Sequence, residues 1–100
     1  METENLKLED TIEMMCSNDY KERFKAEYWQ LKIRYERLIS FLKKWDAGEL
    51  PFSPDCKREL YNIQICGMRQ YLTILERRAE IENIDLTFKN SDTEDAYEMW

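Results

Sequence analysis

Three side chains suited to binding phosphate recur at one-turn intervals in the second half of the chain. Arg69, Thr73 and Arg77 are each four residues apart, so they lie along one side of a helix that contains them. Guanidinium and hydroxyl groups donate hydrogen bonds to phosphate oxygens. Such a stripe is also typical of a solvated surface in which Glu76 and Glu80 pair with the arginines. The sequence leaves both interpretations open.

Aromatic side chains near cations form a second candidate group. Aromatic rings can stack on a nucleobase while neighbouring Lys or Arg side chains hold its phosphate. We expect Tyr20, at a helix end, and Trp29, beside an apolar seam, to lie on the surface, with Lys21 close by. The alternative is that these aromatic residues belong to the core. The predicted ligand-binding residues are Arg69, Thr73, Arg77, Lys21, Tyr20, Trp29 and Tyr71.

The composition argues against catalysis and against a bound metal. The chain of 100 residues has no His, which removes the commonest general base and the nucleophile pairs that depend on it. Its two glycines are far apart, so they form no glycine-rich phosphate loop. Cys16, Cys56 and Cys66 have no CxxC spacing and are expected to be free thiols. We therefore predict a protein that is not an enzyme and that has no metal and no cofactor.

Two apolar stripes predict the helices that position these residues. Apolar side chains of the first stripe recur three or four residues apart, at Tyr20, Phe24, Tyr28, Leu31, Tyr35, Leu38, Leu42 and Trp45. The second stripe repeats this spacing at Tyr61, Ile65, Met68, Leu72, Leu75 and Ala79. Such spacings line the face of a helix that packs lengthwise on another helix. The chain is therefore predicted to be all-α, with an antiparallel two-helix hairpin as its main unit.

Capping and turn residues predict where these helices begin and end. Asp19 is suited to an N-cap, and Gly48 is suited to the left-handed position after a helix. Ser53 followed by Pro54 is suited to start the second helix. The predicted divisions are an N-terminal segment with a short helix (1–18), a helix (19–47), a loop (48–53), a helix (54–82) and an acidic C-terminal tail (83–100).

Apolar residues outside the two stripes predict self-association. They are Trp29, Ile33, Ile39 and Phe41 in the first helix and Leu60, Ile63, Ile74 and Ile81 in the second. A lone hairpin has no second layer to cover them, so we expect a homo-oligomeric helical bundle. Gly67 lies in the middle of the second helix, where it costs about 1 kcal/mol relative to Ala. It indicates the close approach of either another helix or a ligand.

Charge and hydropathy argue against two classes of partner. The net charge of −6 argues against wrapping a long nucleic acid. Residues 19–45 nevertheless hold eight Lys or Arg and four acids, so a local basic site for a small phosphorylated ligand is compatible with the composition. No apolar run approaches the roughly 20 residues of a membrane span. The polar, acidic N-terminus is unlike a signal or transit peptide.

Several segments resemble a family of small proteins that crAss-like phages and prophages of gut bacteria encode. The resemblance covers residues 11–86 and is carried by DYKERFKAEY, by KIRYERL, by Gly–x–Leu–x–Phe–x–Pro with Cys56, and by YL–x–x–LE–x–RA–x–IE–x–I–x–L. The chain departs from the family at Asp-Cys-Lys after Pro54, where Thr or Ser, Cys and Pro are more usual.

A looser similarity links the predicted hairpin to phage proteins that act against CBASS and Thoeris immunity. Those proteins oligomerise and sequester cyclic nucleotide signals without cleaving them. In them an Arg and a Thr one turn apart on the second helix hold phosphates at subunit interfaces, and Arg69 and Thr73 have that spacing. The resemblance implies a counter-defence protein in the cytoplasm of the bacterial host cell. Its ligand would be a cyclic oligonucleotide or a cyclic ADP-ribose.

A second class of function stays open. A helical oligomer without enzymatic activity can instead bind a host or phage protein through its apolar outer face or its acidic tail. The two classes differ in their response to substitution. Arg69→Ala should abolish ligand retention in the first class, whereas changes at Ile63 or Ile74 should matter in the second.

Overall fold

The computed structural model describes residues 6–88, and this part of the chain is helical without any strand. The elements in chain order are a 3-10 helix (Leu8–Thr11), α1 (Ile12–Met15), α2 (Tyr20–Asp46) and α3 (Arg58–Glu82). The prediction of an all-α protein is confirmed. Residues 1–5 and 89–100, with most of the predicted acidic tail, lie outside the described residues.

The ends of α2 follow the predicted capping residues. The Asp19 carboxylate accepts a hydrogen bond from the Lys21 amide at 3.0 Å, which satisfies one of the free N–H groups at a helix start. At the other end Gly48 has a φ of 74°. Gly adopts this left-handed conformation without the penalty that a Cβ brings, so the chain leaves the helix there.

The second long helix begins four residues later than the predicted start at Pro54. Lys57 is its N-cap, and Arg58 is its first residue. The Arg58 guanidinium donates two hydrogen bonds to the Asp46 carboxylate, at 3.0 and 3.1 Å, so the first turn of α3 is held at the end of α2. The residues from Pro54 to Lys57 therefore belong to the connection. At its other end, α3 stops at Asn83, which has a left-handed φ of 58°.

Contacts between α2 and α3 join the start of one helix to the end of the other. The hydrogen-bonded pairs are Tyr20–Glu82, Tyr28–Glu76, Tyr35–Arg69 and Asp46–Arg58. Between these polar pairs lies a buried cluster to which both helices contribute: Phe24, Tyr28, Trp29, Leu72, Leu75 and Ala79. Leu75 is almost completely buried, at 1% exposure, so the predicted apolar seam is the core of this contact.

The N-terminal segment covers a second side of α2. Thr11 is fully buried, and its hydroxyl donates to the Leu8 carbonyl at 2.7 Å and accepts from the Gln30 amide at 2.9 Å. Ile33 of α2 is buried as well. The predicted outer apolar residue Ile33 is thus covered within one chain.

The segment after α3 covers Trp29, which corrects the prediction that this residue lies on the surface. The Trp29 indole N–H donates to the Leu86 carbonyl at 2.7 Å, and the Phe88 ring packs edge-on against the indole with 5.8 Å between centroids. Ile84 is buried beside them. The sequence pattern placed Trp29 off the seam with α3, but it gave no sign that residues 84–88 fold back onto α2.

Candidate functional site

One side of the helix pair contains the predicted phosphate-binding stripe. The Arg69 guanidinium donates to the Tyr35 hydroxyl at 2.8 Å. Arg77 makes a long ion pair with Glu80, at 4.0 Å, and both of these side chains are mostly exposed. Thr73 lies between the two arginines on the same face of α3 and is exposed. The stripe is therefore intact, with one arginine engaged by α2 and the other held weakly at the surface.

The other side of the helix pair contains the predicted aromatic residues. The Tyr20 hydroxyl donates to the Glu82 carboxylate at 2.9 Å and accepts from Arg78 at 2.7 Å. Arg78 also lies over the Phe24 ring, with 4.9 Å from its guanidinium carbon to the centroid. The Lys21 ammonium donates to the Asn83 carbonyl at 3.1 Å. This end of the helix pair is thus tied together by its own polar groups.

Tyr71 belongs to this second side. Its hydroxyl donates to the Glu27 carboxylate, and it lies seven residues before Arg78, on the same helical face. Arg69 and Tyr71 are two residues apart, or about 200° around the helix axis. A single chain therefore presents Arg69 and Tyr71 on opposite sides of the helix pair. The seven predicted residues do not form one pocket within a chain.

Three tyrosines that donate hydrogen bonds to carboxylates have raised pKa values. The bond to Glu82 raises the pKa of Tyr20, and the same bond, followed by that from Arg78, lowers the pKa of Glu82. The bond to Glu27 likewise raises the pKa of Tyr71. Burial is the main cause of the raised pKa of Tyr28, and its bond to Glu76 adds to it. A raised pKa favours the protonated phenol, which is the form that donates these hydrogen bonds.

A groove at the loop end of the helix pair was not predicted from the sequence. It has a volume of about 650 Å³, within the range of small-molecule sites. The N-terminal segment contributes Lys7, α2 contributes Arg37 and Lys44, and the α2–α3 connection contributes Phe52 beside Phe41 of α2. We call this feature the basic groove.

The cations of the basic groove differ from those of the two predicted groups. Arg37 and Lys44 are exposed, and neither side chain makes a hydrogen bond or ion pair within residues 6–88. Glu36 is the one acid among the described lining residues. The groove therefore concentrates positive charge on a chain whose net charge is −6.

Aromatic rings form one wall of the basic groove. Phe52 stacks on Phe41 with 6.2 Å between centroids and an interplanar angle of 24°. Trp45 and Tyr61 support Phe41 from the helix side, with centroids 5.9 and 5.8 Å away. Phe52 itself is 57% exposed. The wall thus offers a ring face that is held in place by its neighbours and is open to solvent.

The described residues offer no metal site and no membrane span. No group of three His, Cys, Asp or Glu side chains in residues 6–88 is placed to hold a metal ion. Cys16, Cys56 and Cys66 are free and exposed. Within the same range, neither long helix combines the length and hydropathy needed to cross a membrane.

Sequence reasoning missed Arg78 and the basic groove for different reasons. Arg78 had a readable signal, because it lies four residues before Glu82 and seven after Tyr71. Arg37 and Lys44 also share a helical face, seven residues apart with Phe41 between them. The contribution of Lys7 and Phe52 depends on the tertiary packing of distant segments, for which the sequence gave no signal.

Comparison with known proteins gives one match. No curated protein and no solved structure is significantly similar to the chain. A family model described as Sequestin matches residues 18–81, which span α2, the connection and nearly all of α3 and amount to more than half of the chain. The family name fits a protein that sequesters a ligand, and no enzyme family matches. The chain belongs to the Sequestin family.

Proposed function

We propose that this protein binds and sequesters a nucleotide-derived immune second messenger without cleaving it. The match to the Sequestin family over residues 18–81 is the observation that carries the proposal. The ligand is a cyclic oligonucleotide or a cyclic ADP-ribose, and the setting is counter-defence by a phage or prophage in the cytoplasm of its bacterial host. Sequestration lowers the free concentration of the messenger, so it requires tight binding and no chemistry.

The exposed phosphate donors and basic groove support a phosphorylated ligand. Arg37 and Lys44 are unpaired within the described residues, and a cation held in a concave site attracts anions more strongly than one on a flat surface. Hydrogen bonds to carboxylates raise the pKa values of Tyr20 and Tyr71. The chemistry of these groups is therefore that of recognition.

The outer face of α3 supports a homo-oligomer built on an antiparallel hairpin. Its exposed apolar side chains follow a heptad-like spacing, at Leu60, Ile63, Ile74 and Ile81, with exposures of 55, 67, 56 and 74%. Among residues 6–88, no atom from outside the surrounding turn of α3 lies within 4 Å of where a Cβ at Gly67 would be, so this part of the chain supplies no close helix contact at Gly67. The corresponding outer residues of α2, Trp29 and Ile33, are covered by the chain itself.

We place a second copy of the chain on this face, antiparallel to the first. The exposed apolar residues run from 60 to 81, so a two-fold axis at their midpoint sets Ile74 of one copy opposite Gly67 of the other. The missing side chain of Gly67 then admits the Ile74 side chain, as a knob enters a hole. Two identical faces pair in this way because the arrangement is self-complementary.

Two of the predicted ligand residues border this interface, and the others lie away from it. Tyr71 lies between Gly67 and Ile74 along the outer face, and Arg77 lies between Ile74 and Ile81. Both border the proposed interface, so a second subunit would lie beside them. Arg69 and Thr73 continue the phosphate-binding stripe away from it, and Tyr20 and Lys21 lie on the side of Tyr71. Trp29 is buried within the chain, so we propose no stacking role for it.

The alternative function is a module that binds a host or phage protein. The exposed apolar face of α3 is the observation that favours it, because the same side chains can bind a different partner. In that case Ile63→Asp abolishes binding of the protein partner, and replacing cationic side chains such as Arg69 with Ala has little effect on that binding. In the proposed function, the removal of cations abolishes ligand binding.

The test is calorimetric titration of the purified protein with cyclic dinucleotides, cyclic trinucleotides and cyclic ADP-ribose isomers, together with measurement of the oligomer mass. We expect one ligand to bind with a sub-micromolar Kd to an oligomer. If a well-folded oligomer releases no heat with any ligand, the proposal is wrong, and affinity capture for a protein partner becomes the next experiment. Ile63→Asp should yield a smaller assembly, which checks the interface separately.

A further inference from the structure

We infer that the basic groove is a nucleotide-binding site that each chain provides by itself. Lys7, Arg37 and Lys44 hold phosphate groups there, and the Phe52 ring stacks on the base. The inference rests on the proposed function and adds the location and the chemistry of recognition. It differs from the predicted site on α3, because none of the seven predicted ligand residues lines the groove.

The positions of the cations suit a ligand with more than one phosphate. Arg37 and Lys44 are seven residues apart on α2, which separates their backbones by about 10 Å along the helix axis. They lie on the same face of the helix, two turns apart. Lys7 reaches the groove from the N-terminal segment. Three cations around one concavity are more than a single phosphate needs, so the arrangement fits two phosphates or a phosphodiester ring.

The absence of competing partners distinguishes these cations from Arg58, Arg69 and Arg78. Arg58 and Arg78 form close ion pairs with Asp46 and Glu82, and Arg69 bonds to Tyr35. A ligand must displace or share these contacts. Arg37 and Lys44 have no such contact among residues 6–88, so their hydrogen-bond donors are free for phosphate oxygens.

The aromatic wall supplies the second half of nucleotide recognition. Phe52 stacks on Phe41, which leaves the outer face of the Phe52 ring exposed next to the cations. An exposed ring that is already fixed loses little conformational entropy when a base stacks on it. Such a stack contributes roughly 1–3 kcal/mol per base in proteins that bind single-stranded nucleic acid.

The experiment compares two double variants of α2 in calorimetric titrations with the same cyclic nucleotides and cyclic ADP-ribose isomers. Arg37→Ala with Lys44→Ala removes two groove cations. Arg34→Ala with Lys43→Ala removes two exposed cations of the same helix that do not line the groove. Both double variants lose the same positive charge. Comparing them therefore separates binding at a local site from non-specific electrostatic attraction of the ligand. Thermal unfolding of both variants checks that each is folded.

We expect the wild-type protein to bind one ligand per chain, and the groove variant to bind that ligand at least about 100-fold more weakly, since each charge-assisted hydrogen bond is worth about tenfold in affinity. The control variant should bind within about threefold of wild type. Phe52→Leu should weaken a purine-containing ligand and leave inorganic pyrophosphate unaffected.

Two results overturn the inference while the proposed function stands. In one, the wild-type protein binds a ligand and the groove variant binds it equally well. In the other, the groove and control variants lose affinity to the same extent. A wild-type protein that binds none of these ligands contradicts the proposed function and the groove assignment together.

Discussion

The two ends of the helix pair use their charged side chains in opposite ways. At the end near Tyr20, the hydroxyl lies between Glu82 and Arg78, and Lys21 bonds to a backbone carbonyl. At the loop end, Arg37 and Lys44 line a groove without any intrachain partner in the described residues. Both ends combine aromatic rings with cations, so composition alone does not tell them apart.

The difference teaches that a cation next to an aromatic ring is informative only when its partners are known. The polar contacts at the first end join α2 to α3 and satisfy one another, which is what a structural network does. Exposed unpaired cations at the second end contribute little to folding, so their position is available for ligand recognition. The predictions below test this division.

The largest expected effect comes from Trp29, the aromatic residue that the sequence misplaced. Trp29→Ala removes a buried ring and the hydrogen bond to Leu86, so the free energy of unfolding should fall by about 3–5 kcal/mol in denaturant titrations. Tyr71→Ala, at an exposed ring, should cost about 1 kcal/mol or less. Equal losses in the two variants would show that residues 84–88 do not cover Trp29.

A smaller effect is expected from the polar contacts between α2 and α3. Tyr28→Phe removes the hydroxyl that donates to Glu76 at 3.0 Å and leaves the carboxylate without this donor. The free energy of unfolding should fall by about 1 kcal/mol. Tyr61→Phe, whose hydroxyl makes no hydrogen bond within residues 6–88, is the control and should be neutral. If Arg37→Ala with Lys44→Ala lowered the free energy of unfolding as much as Tyr28→Phe does, the groove cations would also be structural. The contrast between the groove and the paired contacts would then be lost.

Gly67→Ala separates the stability of the chain from its assembly. Within residues 6–88 the added Cβ meets no neighbouring segment, and Ala is favoured over Gly in a helix interior by about 1 kcal/mol. We expect the free energy of unfolding of dilute protein to rise by that amount. The dissociation constant of the oligomer should increase, because the added methyl group meets Ile74 of the second copy. Sedimentation at several concentrations measures the second effect. Tighter association in this variant would contradict the proposed interface.

The smallest effect is on the dependence of stability on pH. The hydrogen bonds from Arg58 lower the pKa of Asp46 below its ordinary value of 3.8, and those from Tyr20 and Arg78 lower the pKa of Glu82 below 4.5. Carboxyls with lowered folded-state pKa values stabilise the fold above their unfolded pKa values and lose this contribution as the pH falls below them. The midpoint temperature of unfolding should therefore fall as the pH drops below 4.5. In Asp46→Asn, the midpoint temperature should depend less on pH in this range.

Much of the helical structure could be predicted, because local physics specifies it. The spacing of Phe24, Tyr28, Leu72 and Leu75 identified the faces that α2 and α3 bury against each other. Asp19 and Gly48 also act as the sequence indicates. The start of α3 is later than Pro54, and the ion pair of Arg58 with Asp46 near this start is a tertiary contact that local propensity does not reveal.

The sites were harder to predict for the same reason. Arg69, Thr73 and Arg77 do share a face, as helical spacing requires. Tyr71 is about 200° around the helix axis from Arg69, so it lies on the other side of the helix pair. A helical wheel drawn from the sequence could have shown this. The basic groove needed the packing of the N-terminal segment and the connection against α2, which no local pattern encodes.

The most direct test of sequestration is the fate of a bound ligand. The protein is loaded with the tightest binder among the cyclic nucleotides and cyclic ADP-ribose isomers, incubated for a day at 37 °C, freed of unbound ligand and denatured by heat. The released ligand is then quantified by chromatography and mass spectrometry. Stoichiometric release of the intact ligand, with its activity as a messenger preserved, is the predicted result. Release of a hydrolysed or linearised product would contradict the account, since it would make the protein an enzyme.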